Sequence, residues 1–258
     1  MKDIRMKDKM DEKWPSLAIP PVVTAIFQLK FDNGSVKVED YLKYDSVLKR
    51  SFPNRSENIE SSLSLSPSTK IPLGKAQVSG VTNTRRTAYV YFTTDQKEKL
   101  SLSESDITYT TEKPYAGWDS FKEMVVRVLS TLSPVLESMT VRRTSIRFIN
   151  QFKFESFDDP TLYFNSQISS SEGAMPFPLM KYGFRLTYDI DEGIYSIVNQ
   201  NAEHLPDKFV YIFDIDVLNR NNLLFDIKTI SEAMEGLREI KNKIFFANVT
   251  DKTLETCN

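Results

Sequence analysis

The chain has 258 residues, 40% hydrophobic and 26% charged, proportions of a soluble globular protein with enough apolar mass for its own core. Lys and Arg number 33 against 35 Asp and Glu, a formal charge of −2, so no overall field recruits nucleic acid or an anionic membrane. The one cysteine, Cys257, excludes an intramolecular disulfide and a cysteine-based zinc site and fits a reducing compartment.

At the amino end, MKDIRMKDKMDEK mixes both charges with no apolar segment after it, and no long apolar run occurs elsewhere. A cytoplasmic protein without a membrane span is expected, with residues 1–13 as a mobile tail. In PPVVTAIFQLKF, the residues Val23, Ala25, Phe27, Leu29 and Phe31 alternate with more polar neighbours and predict a strand buried on one face. Asn33-Gly34 predicts a turn, and the spacing of Tyr41, Leu42, Val47, Leu48 and Phe52 predicts a helix over 39–52, ended by Pro53. The Ser-, Thr-, Asn- and Pro-rich stretch 54–84 reads as loop or weak edge strand.

RRTAYVYF and KLSLSESDITYT predict two antiparallel strands joined through TTDQKE. Ser120 and Glu123 have capping-box spacing, and Phe121, Val125, Val128, Leu129 and Leu132 continue as the apolar stripe of a helix that Pro134 kinks or closes. The strand TVRRTSIRFINQF follows at 140–152, so residues 14–154 resemble a ferredoxin-like split βαβ half. Residues 155–180, with three prolines and a serine run, suit a long connection.

The remainder, 181–258, gives the strands KYGFRLTYDI, GIYSIVNQ and KFVYIFDIDVL, the first two joined by a hairpin turn at Asp191-Glu192-Gly193. A long helix over 223–249 turns Ile230, Met234, Leu237 and Ile244 inward, and Thr250 caps a final turn with Asp251 at its positive end. The expected fold class is α+β, antiparallel sheets covered by helices. TRRTAYVYF and VRRTSIRFI share an Arg-Arg-Thr, which two strands of similar composition explain as readily as a duplication.

Several chemistries fall away. The single histidine, His204, sits in the polar NQNAEHLPDKF, read as a loop, so histidine-cluster metal sites are excluded and no Gly-x-Ser-x-Gly elbow supports a triad. The eight glycines form no phosphate-cradling motif, and no cofactor is expected. What remains is charge inside strands. Alternation places Arg143, Ser145 and Arg147 on one face of their strand, and Arg142, Thr144, Ile146, Phe148 and Asn150 on the other. Asp214 and Asp216 project from one side of theirs, about 7 Å apart, and would repel each other without a cation. Arg143 or Arg147 is the expected partner, because guanidinium matches carboxylate through two parallel hydrogen bonds.

The alternative chemistry is a divalent-metal nuclease or phosphodiesterase built on Asp214, Asp216, Asp226 and Lys228, since hard oxygen ligands suit magnesium or manganese. Its Asp-x-Lys pattern recurs at Asp11 and Asp95 and has little specificity. Single-stranded nucleic acid stacking on Tyr89 and Tyr91 is a further reading that the charge balance does not favour.

PPVVTAIFQLKF, RRTSIRFINQF, FDID and FFANVTDKTLE resemble the successive blocks of a sporadically distributed, uncharacterised bacterial protein family of about 250 residues. The resemblance spans residues 20–255 and departs from the family pattern at Thr24, where members carry an acidic residue, and at Ser145, where they carry glycine. It implies that Arg147, Asn150, Asp214, Asp216 and Asp251 hold motif positions, and its patchy distribution is similar to that of mobile or defence-linked genes. The expected function is a non-catalytic binding or regulatory protein acting with a partner protein. No signal of oligomeric state is present.

Overall fold

Alternating bulky apolar and polar side chains decide most of the architecture. The computed structural model describes residues 14–15, 17–32, 36–67, 78–137, 139–155, 162–166 and 180–257, with the backbone alone over 60–67 and 78–86. The expected tail, the Asn33-Gly34 turn and most of the 155–180 connection lie outside the described residues.

The chain is mixed α and β. The first strands are β1 (Val22–Phe31), β2 (Asn54–Pro67), β3 (Val78–Phe92), β4 (Glu98–Ser103), β5 (Asp106–Glu112) and β6 (Thr140–Phe154). They are followed by β7 (Lys181–Asp191), β8 (Ile194–Leu205), β9 (Lys208–Asn219) and the short β10 (Leu223–Leu224). A 3-10 helix (Val38–Tyr44) leads into the single turn α1 (Asp45–Leu48), and the longer helices are α2 (Trp118–Leu136) and α3 (Ile227–Asn248), with α4 (Asp251–Glu255) last. Ten described strands form one antiparallel sheet ordered β2-β3-β4-β5-β1-β6-β9-β8-β7, with β10 beside β6.

That order repeats a pattern. β1 is followed by helical turns and by a meander whose last strand, β5, returns beside β1 before α2 begins. β6 is followed by the meander β7 to β9, whose last strand returns beside β6 before α3 begins. The two opening strands meet antiparallel at the middle of the sheet, Ala25 opposite Phe148 and Leu29 opposite Thr144. The shared Arg-Arg-Thr does not follow this repeat, because it joins β3, next to the sheet edge, with the central β6.

One apolar cluster runs under both halves. Phe27 and Leu29 of β1, Phe148 and Phe152 of β6, and Phe213 and Ile215 of β9 are all buried against α2 and α3. Phe121 of α2 meets Phe148 edge-on at 5.8 Å between ring centroids, and Phe245 of α3 stacks on Phe213 at 6.1 Å. Each such side chain contributes roughly 1.5–3 kcal/mol by leaving water. The described helices share this side of the sheet, so among the described residues the opposite face carries strand side chains.

Four local expectations are corrected, and for the Ser-rich stretch the edge strand is selected over the loop. Residues 38–44 wind as a 3-10 helix, whose three-residue period stacks Val38 and Tyr41 on one side, both fully buried, with the Tyr41 hydroxyl donating to Ser103 O at 3.0 Å. The Ser-rich stretch pairs over its described length as the hairpin β2–β3, with β2 at the sheet edge. KLSLSESDITYT is two strands, because Ser103 Oγ accepts from the amides of Ser105 and Asp106 and turns the chain. The capping box does not form: Gly117, at φ 99°, starts α2 early enough that Ser120 lies in its first turn, and Glu123 pairs with Arg127 at 2.7 Å. His204 belongs to β8, opposite Phe209, because Pro206-Asp207 makes a turn tight enough for both strands to continue to it. Among the described residues no helix is long and apolar enough to cross a membrane.

Candidate functional site

The central strands β6 and β9 present Arg143, Ser145, Arg147, Asp214 and Asp216 on the face away from the helices. Directly opposite pairs are Arg147 with Asp216 and Ile149 with Asp214. The ion pair nevertheless forms on the diagonal. Arg147 Nε donates to Asp214 Oδ1 at 2.8 Å and Nη2 to Oδ2 at 2.7 Å, a two-pronged contact that an arginine is long enough to make with the next residue along. Asn199 of β8, opposite Asp214, adds a third hydrogen bond to Oδ2 at 3.0 Å. The Asp214 side chain is 7% exposed and that of Arg147 41%, so the carboxylate is the buried partner.

Asp216 receives no such fork. Its Oδ1 is buried without a hydrogen-bond partner. Burial pushes its carboxyl above the usual aspartate range, opposed by the charges of Arg147 and Arg143 and reinforced by that of Asp214, with Arg185 of β7 also drawing it down. Arg143 turns aside: its Nη2 donates to Gln28 Oε1 on β1, Gln28 donates in turn to Thr108 Oγ1 at 3.0 Å, and Arg143 Nε is buried without a partner. Three arginines thus surround two aspartates, one of which is fully satisfied and one of which is not.

Other candidate residues lie elsewhere. Asn150 is on the helix side, 2% exposed, where its Nδ2 donates to Phe213 O at 2.9 Å and ties β6 to β9. Arg142 is exposed and forks Asp32 at 2.9 and 2.8 Å. Asp226 is the N-cap of α3, its Oδ2 accepting from Thr229 N at 2.7 Å and Thr229 Oγ1 at 2.8 Å, while Lys228 is 85% exposed beside Glu232. Asp214, Asp216 and Asp226 do not converge: among the described residues no group of three or more His, Cys, Asp or Glu is placed to hold a metal. Asp251 opens α4 and is exposed. Tyr89 and Tyr91 are fully buried, the latter donating to Asp45 Oδ1 at 3.0 Å, so neither offers a ring for a base to stack on.

Gln28, Arg185 and Asn199 join the cluster without having been singled out by sequence. Alternation alone carried their signal, and only the strand order places them beside the aspartates. No protein-family model matches the chain, and no curated protein matches it.

Proposed function

We propose that the chain is a non-catalytic binding or regulatory protein that acts in the cytoplasm with a partner protein, through the helix-free face of its sheet. The observation that carries this reading is the pairing of unmet needs at Asp216 and Arg143, on neighbouring strands of that face. A buried polar group left without its hydrogen bond costs about 1–3 kcal/mol, a cost with no return inside the fold. A partner donor to the other Asp216 oxygen, which is not buried, and an acceptor near Arg143 stabilise the charged forms and offset part of that cost on binding. Mixed charge on the face, with Arg185 near Asp216 and Lys153 further along β6, suits a protein surface better than a uniformly anionic ligand.

Two further features support the reading. Arg147, Asp214 and Asp216, motif positions in the resemblance to a sporadic bacterial family, share this face, which fits a role in a mobile or defence-linked module. The first half reads as an expanded ferredoxin-like unit, since the strands before and after α2, β5 and β6, flank β1, while β2, which follows the first helical segment, lies at the sheet edge. Affinity purification of tagged wild-type and Asp216→Ala chains from the native host tests the proposal, with circular dichroism confirming that both fold. Co-purification of one polypeptide with the wild type and its loss from the folded variant support it. Retention of that polypeptide by the variant contradicts it, as does a magnesium-dependent phosphodiester cleavage that the wild type performs and the folded variant lacks.

A further inference from the structure

On the helix side of the sheet, a cleft of about 650 Å³ opens between α3, the amino end of α2 and residues 14–15 and 17–22. Its volume is that of a small-molecule site. Phe148 of β6 forms its floor, with Trp118, Phe245 and Phe246 among its walls. Trp14 stacks on Phe246 at 5.2 Å between ring centroids and donates from Nε1 to Glu239 Oε2 at 2.8 Å, which ties the amino-terminal segment down along one side.

Into this cleft, lined by aromatic rings and polar side chains in about equal measure, the chain turns polar groups that it does not satisfy. Lys241 Nζ lies 4.7 Å from the ring centre of Phe148 and 5.9 Å from that of Phe245, and no carboxylate pairs with it among the described residues. Asn242, only 6% exposed, lines the same cleft and has no side-chain hydrogen bond among the described residues. Asn150 uses its Nδ2 on the backbone and leaves its Oδ1 without a donor. The amino end of α2 reaches the cleft through Gly117, with no side chain capping it, and a Cβ there would meet no atom within 4 Å. The other charges are committed: Arg238 lies over Trp118 at 5.1 Å and pairs with Glu235, and Glu239 is held by Trp14.

We infer that this cleft binds a small aromatic carboxylate, its carboxylate on Lys241 Nζ and the Asn242 amide and its ring among Trp118, Phe148 and Phe245. Charge count selects the class. One unpaired ammonium, with Glu239 in the same wall, matches a single negative charge and disfavours a phosphate dianion. The rings supply flat apolar surface, and the amides fix the orientation of the carboxylate.

A consequence concerns protons. Burial, and next the charge of Arg238, lower Lys241 to about 8, with Glu239 acting in the opposite sense. The titratable group facing it from outside α3 is Tyr115, which burial holds protonated, and β1 and β6 contribute no charge to the cleft. A bound carboxylate favours the charged amine, so binding near that value takes up about half a proton and binding at about pH 6 takes up almost none.

Titration calorimetry on the full chain, with naphthoate and its neutral analogue naphthamide as probes, tests the inference. The expected result is saturable naphthoate binding at least about 10-fold tighter than naphthamide, weakened about 10-fold or more by Lys241→Met. Repeating the titration in buffers of different ionisation heat reads the proton uptake on the unmodified chain, so the test stands even where the variant does not fold. No saturable naphthoate binding, equal affinity for naphthamide, an unaffected Lys241→Met chain or no proton uptake near pH 8 each overturns the inference. Because the cleft and the charged face lie on opposite sides of the sheet, failure here leaves partner binding untouched.

Discussion

Truncating Arg147 and neutralising Asp214 remove the same ion pair, yet their costs are unequal, because only one partner can return to water. Arg147→Ala deletes both prongs and strands a carboxylate whose side chain is 7% exposed, with Asn199 as its remaining donor. Breaking a fully buried pair in this way costs about 3–5 kcal/mol; with the arginine side 41% exposed, water enters the vacated space and the cost falls to about 2–3 kcal/mol. Asp214→Asn keeps the shape and leaves Arg147 free to turn outward, so it costs about 1 kcal/mol. The double substitution costs less than the sum, since no charge is then stranded. Urea unfolding at neutral pH measures all three, and about 2 kcal/mol appears as a midpoint shift on the order of 1 M. A larger loss for Asp214→Asn than for Arg147→Ala would refute the assignment of Asp214 as the buried partner.

Asp216→Asn is expected to stabilise the chain at neutral pH. The folded-state carboxyl titrates above its unfolded value, so the folded protein binds more protons between the two and loses stability as pH rises through that window; the advantage of the variant therefore shrinks on acidification. Thermal melts from neutral to mildly acidic pH check this, and a pH-independent difference contradicts it. Asp226→Ala removes the α3 cap and costs about 1 kcal/mol in the same melts, without altering partner capture. Gly117→Ala, at φ 99° and in open space, costs about 1–3 kcal/mol through backbone strain alone, which urea midpoints resolve.

Local periodicity made the faces of β6 and β9 legible: the split between Arg143 and Arg147 on one side and Ile146 and Phe148 on the other follows from a two-residue period. What periodicity does not carry is the partner of each strand. β6 pairs with β1, more than a hundred residues earlier, and with β9 beyond the long connection, so the diagonal fork, Asn199 and Gln28 depend on register that no local pattern encodes. The helix start at Gly117 was hidden for a different reason. Ser120 and Glu123 have the right spacing for a cap, but a glycine in the positive φ region begins the helix before them. The serine-rich β2 was obscured by composition, since an edge strand needs little apolar content when its backbone is paired along its length. In the cleft, Lys241 and Asn242 belong to what reads as an ordinary polar flank of α3, and only tertiary packing turns them among aromatic rings.

Whether the helix-free face is the contact surface is tested most directly by lysine acetylation footprinting of the purified complex against the free chain. Lys30, Lys153 and Lys181 stand on that face, while Lys228 and Lys243 stand on α3. Protection of the first three with unchanged labelling of the last two is the predicted result. Protection confined to the α3 lysines, with Lys30, Lys153 and Lys181 labelled as in the free chain, would contradict it.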